Sequence, residues 1–124
     1  MLTTRKIAST NNINRNDTLI TCPFMRALAM IEGRWKLVII CHLRDFGNQS
    51  FSQLLGLMPK ASRRMLAKAL KELAGDKIIE KKVFDTFPQT VEYSLTQHGL
   101  KLLPVIENLK DWGLKVKPEL ELIP

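Results

Sequence analysis

Several things a chain can be built around are missing from this one. No apolar stretch approaches the roughly 20 residues that a bilayer-spanning helix needs. The longest charge-free apolar run lies between Lys36 and Arg44, and it contains His42. The N-terminus is polar and lacks the apolar core of a signal peptide. The two cysteines, Cys22 and Cys41, are too few for a disulfide framework. These absences together predict a cytoplasmic chain with no membrane partner. Neither Cys nor His recurs at the spacings of zinc sites. Cys41 and His42 are adjacent and leave a helix in different directions, so no metal is expected. There is no nucleophile motif, no phosphate-cradling glycine loop and no carboxylate pair. Glu92 beside Tyr93 reads as a strand surface residue rather than a base. No enzyme and no cofactor are therefore predicted. Acids are also scarce: 12 Asp and Glu stand against 19 Lys and Arg, giving a net charge of +7 and a pI near 9.7. A negatively charged partner follows, whether nucleic acid, an anionic membrane surface or an acidic protein.

What is present suits one domain with a real core. Residues 1–20 are rich in Thr, Asn and Ser, show little period, and read as a flexible arm. The domain is expected over 21–113, with 114–124 a frayed tail. Pro23 suits a first helical turn, and Phe24, Ala27, Leu28 and Ile31 make a stripe that Gly33 breaks. RWKLVIICHLRDFG is apolar almost all round and reads as a buried central helix ended by Gly47, with Cys41 in the core. SFSQLLGLM is a short helix, with Ser50 and Gln53 forming a capping box, Ser52 a rival cap, and Pro59 a stop. IIEKKVF and TVEYSL flank the loop DTFPQ as a β-hairpin. Thr96 then caps a last helix, QHGLKLLPVIENLKDWG, striped by Leu100, Leu103, Ile106 or Val105, Leu109 and Trp112 and kinked at Pro104.

The segment ASRRMLAKALKEL, residues 61 to 73, carries the functional signal. At helical pitch, Leu66, Ala69, Leu70 and Leu73 share one face, and Arg64, Lys68 and Lys71 lie opposite, with Ala67 among them. Ser62 is a cap first and a phosphate contact second. A short helix, a tight turn, a cationic helix and a hairpin in this order make a winged helix-turn-helix. The fold class is mainly α with a β-hairpin wing. From Lys60 to Lys82 there are eight cations (Lys60, Arg63, Arg64, Lys68, Lys71, Lys77, Lys81, Lys82) and three acids (Glu72, Asp76, Glu80), so the charge collects where the fold puts DNA. Arg63 and Arg64, at the helix start, are suited to a bidentate grip on guanine. Lys68 and Lys71 suit phosphates, and Ala67 is small enough for close approach to a thymine methyl. Lys81, Lys82, Gln89 and Thr90 extend the contact along the wing. A merely solvated cationic face is the competing reading of the helix. Trp35 and Trp112 read as core; with Phe24 and Phe87 they are also candidates to line a pocket at a dimer interface.

CPFMRALAMIEGRWKLVIICHL, SFSQL, SRRMLAKALKEL and FPQTVEYSLTQHGLKLLPVIENLKDWG together resemble an HxlR-type winged helix-turn-helix regulator over about residues 22 to 113. The cues are Cys-Pro opening the first helix, Gly-x-Trp opening the second, the Val-Glu-Tyr-x-Leu-Thr-x-x-Gly junction, and Trp near the end. The chain departs from the pattern at Glu32, at Arg34, at Asp76-Lys77 before the wing, and at Gln89 in the wing tip. The resemblance implies a homodimeric regulator of transcription on inverted-repeat double-stranded DNA, with the cysteine at Cys22 sensing oxidants or electrophiles. Cys22 stands at a helix start with Arg26 one turn on, a placement that supports the sensing reading. The competing reading is a small packing residue. The length of the outer stripes predicts a dimer through the first and last helices, using Phe24, Leu28, Leu103, Ile106, Leu109 and Trp112. A small-molecule effector is compatible with the sequence but not demanded by it. The alternative function is a non-specific nucleic-acid-binding or protein-interaction module with no sensory role.

Overall fold

The structure is a computed structural model, and it describes residues 22–116. The arm expected over 1–20 and the end of the expected tail lie outside those residues. α1 spans Pro23–Ile31, with Pro23 in the first turn, where its missing N–H costs nothing. Gly33, at φ +118°, turns the chain, and α2 follows over Lys36–Phe46. It carries Ile39, Ile40 and Leu43 into the core, but Leu37, Val38 and Cys41 are only half-buried. The all-round burial expected of this helix, and of Cys41 with it, is therefore partial. Gly47, at φ +77°, ends α2, its N–H bonding the Leu43 carbonyl at 3.1 Å.

β1 is only Gln49–Ser50, and nothing in the sequence announced it. Ser50 doubles as the cap of α3, Phe51–Leu57. Its Oγ accepts from the Gln53 N–H at 3.1 Å, and the Gln53 Oε1 accepts from the Ser50 N–H at 2.8 Å. The rival Ser52 is left inside the helix. α4 runs Arg63–Gly75 behind a tight turn, with Ser62 Oγ accepting from the Met65 N–H at 3.1 Å. Its apolar face is the centre of the core: Leu66, Ala69, Leu70 and Leu73 meet Ile39, Ile40, Leu43, Leu54, Met58, Ile78 and Ile79.

Lys77, at φ +60°, takes the chain out of α4, and the Ile78 N–H returns to the Leu73 carbonyl at 3.0 Å. β2 (Ile79–Phe84) and β3 (Thr90–Leu95) form the expected hairpin. The three-stranded antiparallel sheet has the order β1-β3-β2, with Gln49 opposite Tyr93 and Ser50 opposite Glu92.

The single kinked helix expected at the end is two helices, α5 (Gln97–Leu100) and α6 (Leu103–Val116). Pro104 falls in the first turn of α6, where it needs no donor, so the chain breaks before it rather than bending at it. Thr96 caps α5, accepting from the Gly99 N–H at 2.9 Å. The Thr96 hydroxyl donates to the Lys77 carbonyl at 2.6 Å, and the Thr96 N–H donates to the Ile78 carbonyl at 3.0 Å. A Cβ on Gly99 would stand 2.2 Å from that Ile78 oxygen, so only glycine lets α5 sit this close. α6 continues past the domain end expected at 113, as far as Val116. Its expected stripe divides between two faces. Leu103 and Ile106 pack against the core, whereas Val105, Leu109, Trp112 and Val116 are exposed. Arg44 Nη1 ties α2 to Glu107 of α6 at 2.5 Å. Its guanidinium also bonds Asp45 and holds that carboxyl below the usual carboxylate range.

Candidate nucleic-acid interface

With the apolar side of α4 locked into the core, its other side has one orientation. Arg63, Arg64, Ala67, Lys68 and Lys71 are all exposed on it, and Lys60 is exposed in the preceding turn. The Arg63 guanidinium lies 6.0 Å from the Phe51 ring centroid, so the first turn of α3 steadies the first residue of α4. Glu72, the one acid of α4, is answered from behind: Lys36 Nζ reaches its Oε1 at 3.0 Å. Lys36 itself is 8% exposed. A lysine that deeply placed needs a partner, and taking Glu72 for that purpose leaves the front of α4 uniformly cationic.

The hairpin places its lysines less simply. Register sets Lys81 opposite Tyr93 and Lys82 opposite Glu92. Successive residues of a strand face opposite sides. Lys81 therefore shares a face with Ile79, Val83, Tyr93 and Leu95, the side that packs onto the core near its base. Lys82 shares the other face with Glu80 and Phe84, against a carboxylate. The two lysines expected along the wing therefore lie on opposite faces of the ribbon. Gln89 and Thr90 are exposed near the tip, as expected. The tip is closed by the Thr86 hydroxyl donating to the Pro88 carbonyl at 2.7 Å, with the Thr86 and Thr90 hydroxyls 3.5 Å apart. Phe87 projects from it fully exposed. This places Phe87 at the end of the wing.

Cys22 is a free thiol, half-buried, at the N-cap of α1, and its carbonyl accepts from the Arg26 N–H at 3.0 Å. Of the residues expected at a dimer interface, Phe24, Leu28, Leu109 and Trp112 are exposed, with Phe24 at 69% and Trp112 at 64%. Trp112 is thus not core, whereas Trp35 is half-buried and packs on the core. Leu103 and Ile106 are half-buried and pack against the chain's own core. Among the described residues no three His, Cys, Asp or Glu gather as a metal site. No helix among them is long and apolar enough to cross a membrane.

Comparison with known proteins agrees with this geometry. Residues 30–121 match the family of HxlR-like helix-turn-helix proteins. The uncharacterised HTH-type transcriptional regulator YdeP of Bacillus subtilis strain 168 is 41% identical over 106 residues, covering 86% of this chain and 82% of YdeP. The redox regulator HypR in its oxidised form is 36% identical with a TM-score of 0.69, covering 76% of this chain and 96% of that one. The quinone-bound YodB of B. subtilis is 33% identical with a TM-score of 0.65, covering 76% and 99%. These relatives are regulators of transcription and not enzymes. The chain belongs to the HxlR-like helix-turn-helix family of DNA-binding transcriptional regulators.

Proposed function

We propose that the protein acts as a homodimer on an inverted-repeat operator, with α4 in the major groove and the wing against the flanking backbone. The cationic front of α4, fixed in direction by four buried residues on its back, carries this reading. Arg64 reads a base edge, Lys68 and Lys71 hold phosphates, and Ser62 adds its backbone at the helix start. Arg63, Lys60 and Ala67 border this contact, and Lys82, Gln89 and Thr90 extend it along the wing. Lys81 takes part from the other face of the ribbon. The exposed apolar faces of α1 and α6 support pairing of two copies through Phe24, Leu28, Leu109 and Trp112. Such pairing sets two α4 helices one DNA turn apart, or a multiple of it.

Cys22 is the thiol through which oxidants or electrophiles act on the dimer. It stands at the head of α1, the helix whose outer face is offered for pairing, and two structural relatives carry a redox regulator or a bound quinone in their names. The test is selection of bound duplexes from a random pool at near-physiological salt, with and without a thiol oxidant. An enriched inverted repeat is expected, altered by oxidation in the native protein and unaltered in Cys22→Ser. Equal recovery of all sequences would leave the alternative, a non-specific binding module.

A further inference from the structure

A hollow of about 220 Å³ lies between the α1–α2 turn and α4. Neither Phe24 nor Leu28, Leu109 or Trp112, the residues offered for pairing, lines it. One of its walls, Lys68, belongs to the cationic front of α4. The other element contributes Arg34, in the turn that Gly33 opens at φ +118°. The Arg34 guanidinium lies 5.0 Å from the ring centroid of Trp35, the cap residue of α2. A guanidinium laid on an aromatic face is held in direction, and its N–H donors stay free at its edge. Arg34 and Lys68 are both exposed, and neither makes an ion pair among the described residues. Two carboxylates also line the hollow. Glu72 is answered by Lys36 at 3.0 Å, and Glu32 has a partner of its own. No side chain caps α2, so the partial positive charge at its N-terminus adds to the two cations.

We propose that this hollow is a seat for the DNA backbone, in which Arg34 holds a phosphodiester beside the contact made by Lys68. The inference rests on the operator reading and carries the grip beyond the helix-turn-helix and the wing, to the turn before α2. A duplex that takes α4 into its major groove has its backbone along the rim of that groove, so a strand passes the flank of α4 where Lys68 stands. A phosphate at that flank meets the donors of Arg34 on a second side. The chemistry suits a phosphodiester in particular, because the planar fork of an arginine takes two phosphate oxygens at once. The hollow is smaller than the roughly 300–1,000 Å³ of small-molecule sites, whereas a phosphodiester needs only a shallow seat with donors at its edge.

The experiment measures binding of the full chain to a duplex of mixed sequence, by fluorescence anisotropy over a series of salt concentrations. Phosphate contacts carry no sequence information, so the operator need not be known. Arg34→Gln is expected to weaken binding roughly threefold to tenfold at about 0.1 M salt, and to flatten the plot of log affinity against log salt by about 0.9 per bound protomer. Arg34→Lys keeps the charge and restores most of the slope. Lys101→Gln removes an exposed cation outside the hollow and the front of α4, and leaves the slope as it is in the native chain. An unchanged slope in Arg34→Gln overturns the inference. So does an equal flattening in Lys101→Gln, which would reduce the effect to net charge, or a failure of Arg34→Lys to restore the slope. Should Arg34→Gln not fold, ¹⁵N spectra of the native chain decide: a shift of the Arg34 Nε–H signal on adding duplex supports the seat, and an unmoved signal overturns it. A native chain that binds no duplex ends the operator reading and this inference together. A native chain that binds, with Arg34→Gln matching it, ends this inference alone.

Discussion

α4 and α6 are of similar length, thirteen and fourteen residues, and each carries an apolar stripe. They end in different conditions. α4 buries Leu66, Ala69, Leu70 and Leu73 completely or nearly so, and turns only polar and small side chains outward apart from Met65. α6 buries no residue fully and leaves Val105, Leu109, Trp112 and Val116 in water. α4 is finished within one chain, and what it offers is charge. α6 is unfinished, and what it offers is apolar surface. An exposed cationic face is content in solvent and becomes selective only when a polyanion arrives. An exposed apolar face of this kind gains by being covered.

The sharpest way to break the contrast is to shorten one leucine in each helix. Leu70→Ala is expected to cost about 2–5 kcal/mol in chemical denaturation, because the cavity it leaves lies at the centre of the core. Leu109→Ala, measured at protein concentrations low enough to keep the chain monomeric, is expected to cost less than about 0.5 kcal/mol. Similar losses at the two positions would mean that α6 is also a core helix. Next in size, Trp112→Glu is expected to weaken self-association by about 2 kcal/mol or more in sedimentation equilibrium while the monomer stays folded. Comparable in scale but different in kind, Arg64→Ala is expected to lose about 1–3 kcal/mol at one operator base and little on random duplex. Lys71→Gln should weaken all duplexes alike and flatten the plot of log affinity against log salt by about 0.9. A small gain is expected between the two helices. Lys77→Gly is expected to raise stability by about 0.5–1 kcal/mol, since a left-handed backbone at φ +60° crowds any Cβ. A thermal melt reads it.

The legible parts of the molecule are those whose signal is local and repeated. The back and front of α4 follow from spacing, the caps at Ser50, Ser62 and Thr96 from side-chain chemistry, and the hairpin from β-branched runs around a proline loop. β1 was not legible because two residues have no period to read, and its partner lies far along the chain. The division of the last helix was missed because a proline inside an apolar stripe fits both a kink and a first turn. What decides between them is the close approach of Gly99 to Ile78, a tertiary fact. The same holds for Leu103 and Ile106: apolar spacing shows that a residue avoids water and does not show which surface shelters it. For the DNA-facing set, exposure of Arg64, Ala67, Lys68 and Lys71 was readable from the helix period, and that of Arg63 from its place at the helix start. The separation of Lys81 from Lys82 follows from strand alternation once the hairpin is accepted. The hollow shared by Arg34 and Lys68 was not readable, because its lining comes from the α1–α2 turn and α4, which only folding brings together.

The two-residue strand has a consequence for the order in which the molecule assembles. α3, α4 and the β2–β3 hairpin each form from contacts near in sequence. Gln49 and Ser50, however, pair with Tyr93 and Glu92 across the whole of α3, α4 and β2. Closing that span costs chain entropy before the strand returns anything. On the ribosome, the first half of the helix-turn-helix therefore exists for a time with its sheet edge vacant, and the residue that caps α3 is among the last to find its β partner. The wing is thus more than an appendage reaching for DNA: its inner strand completes the domain, and a chain ending before residue 95 would hold the recognition helix without the clasp that fixes it.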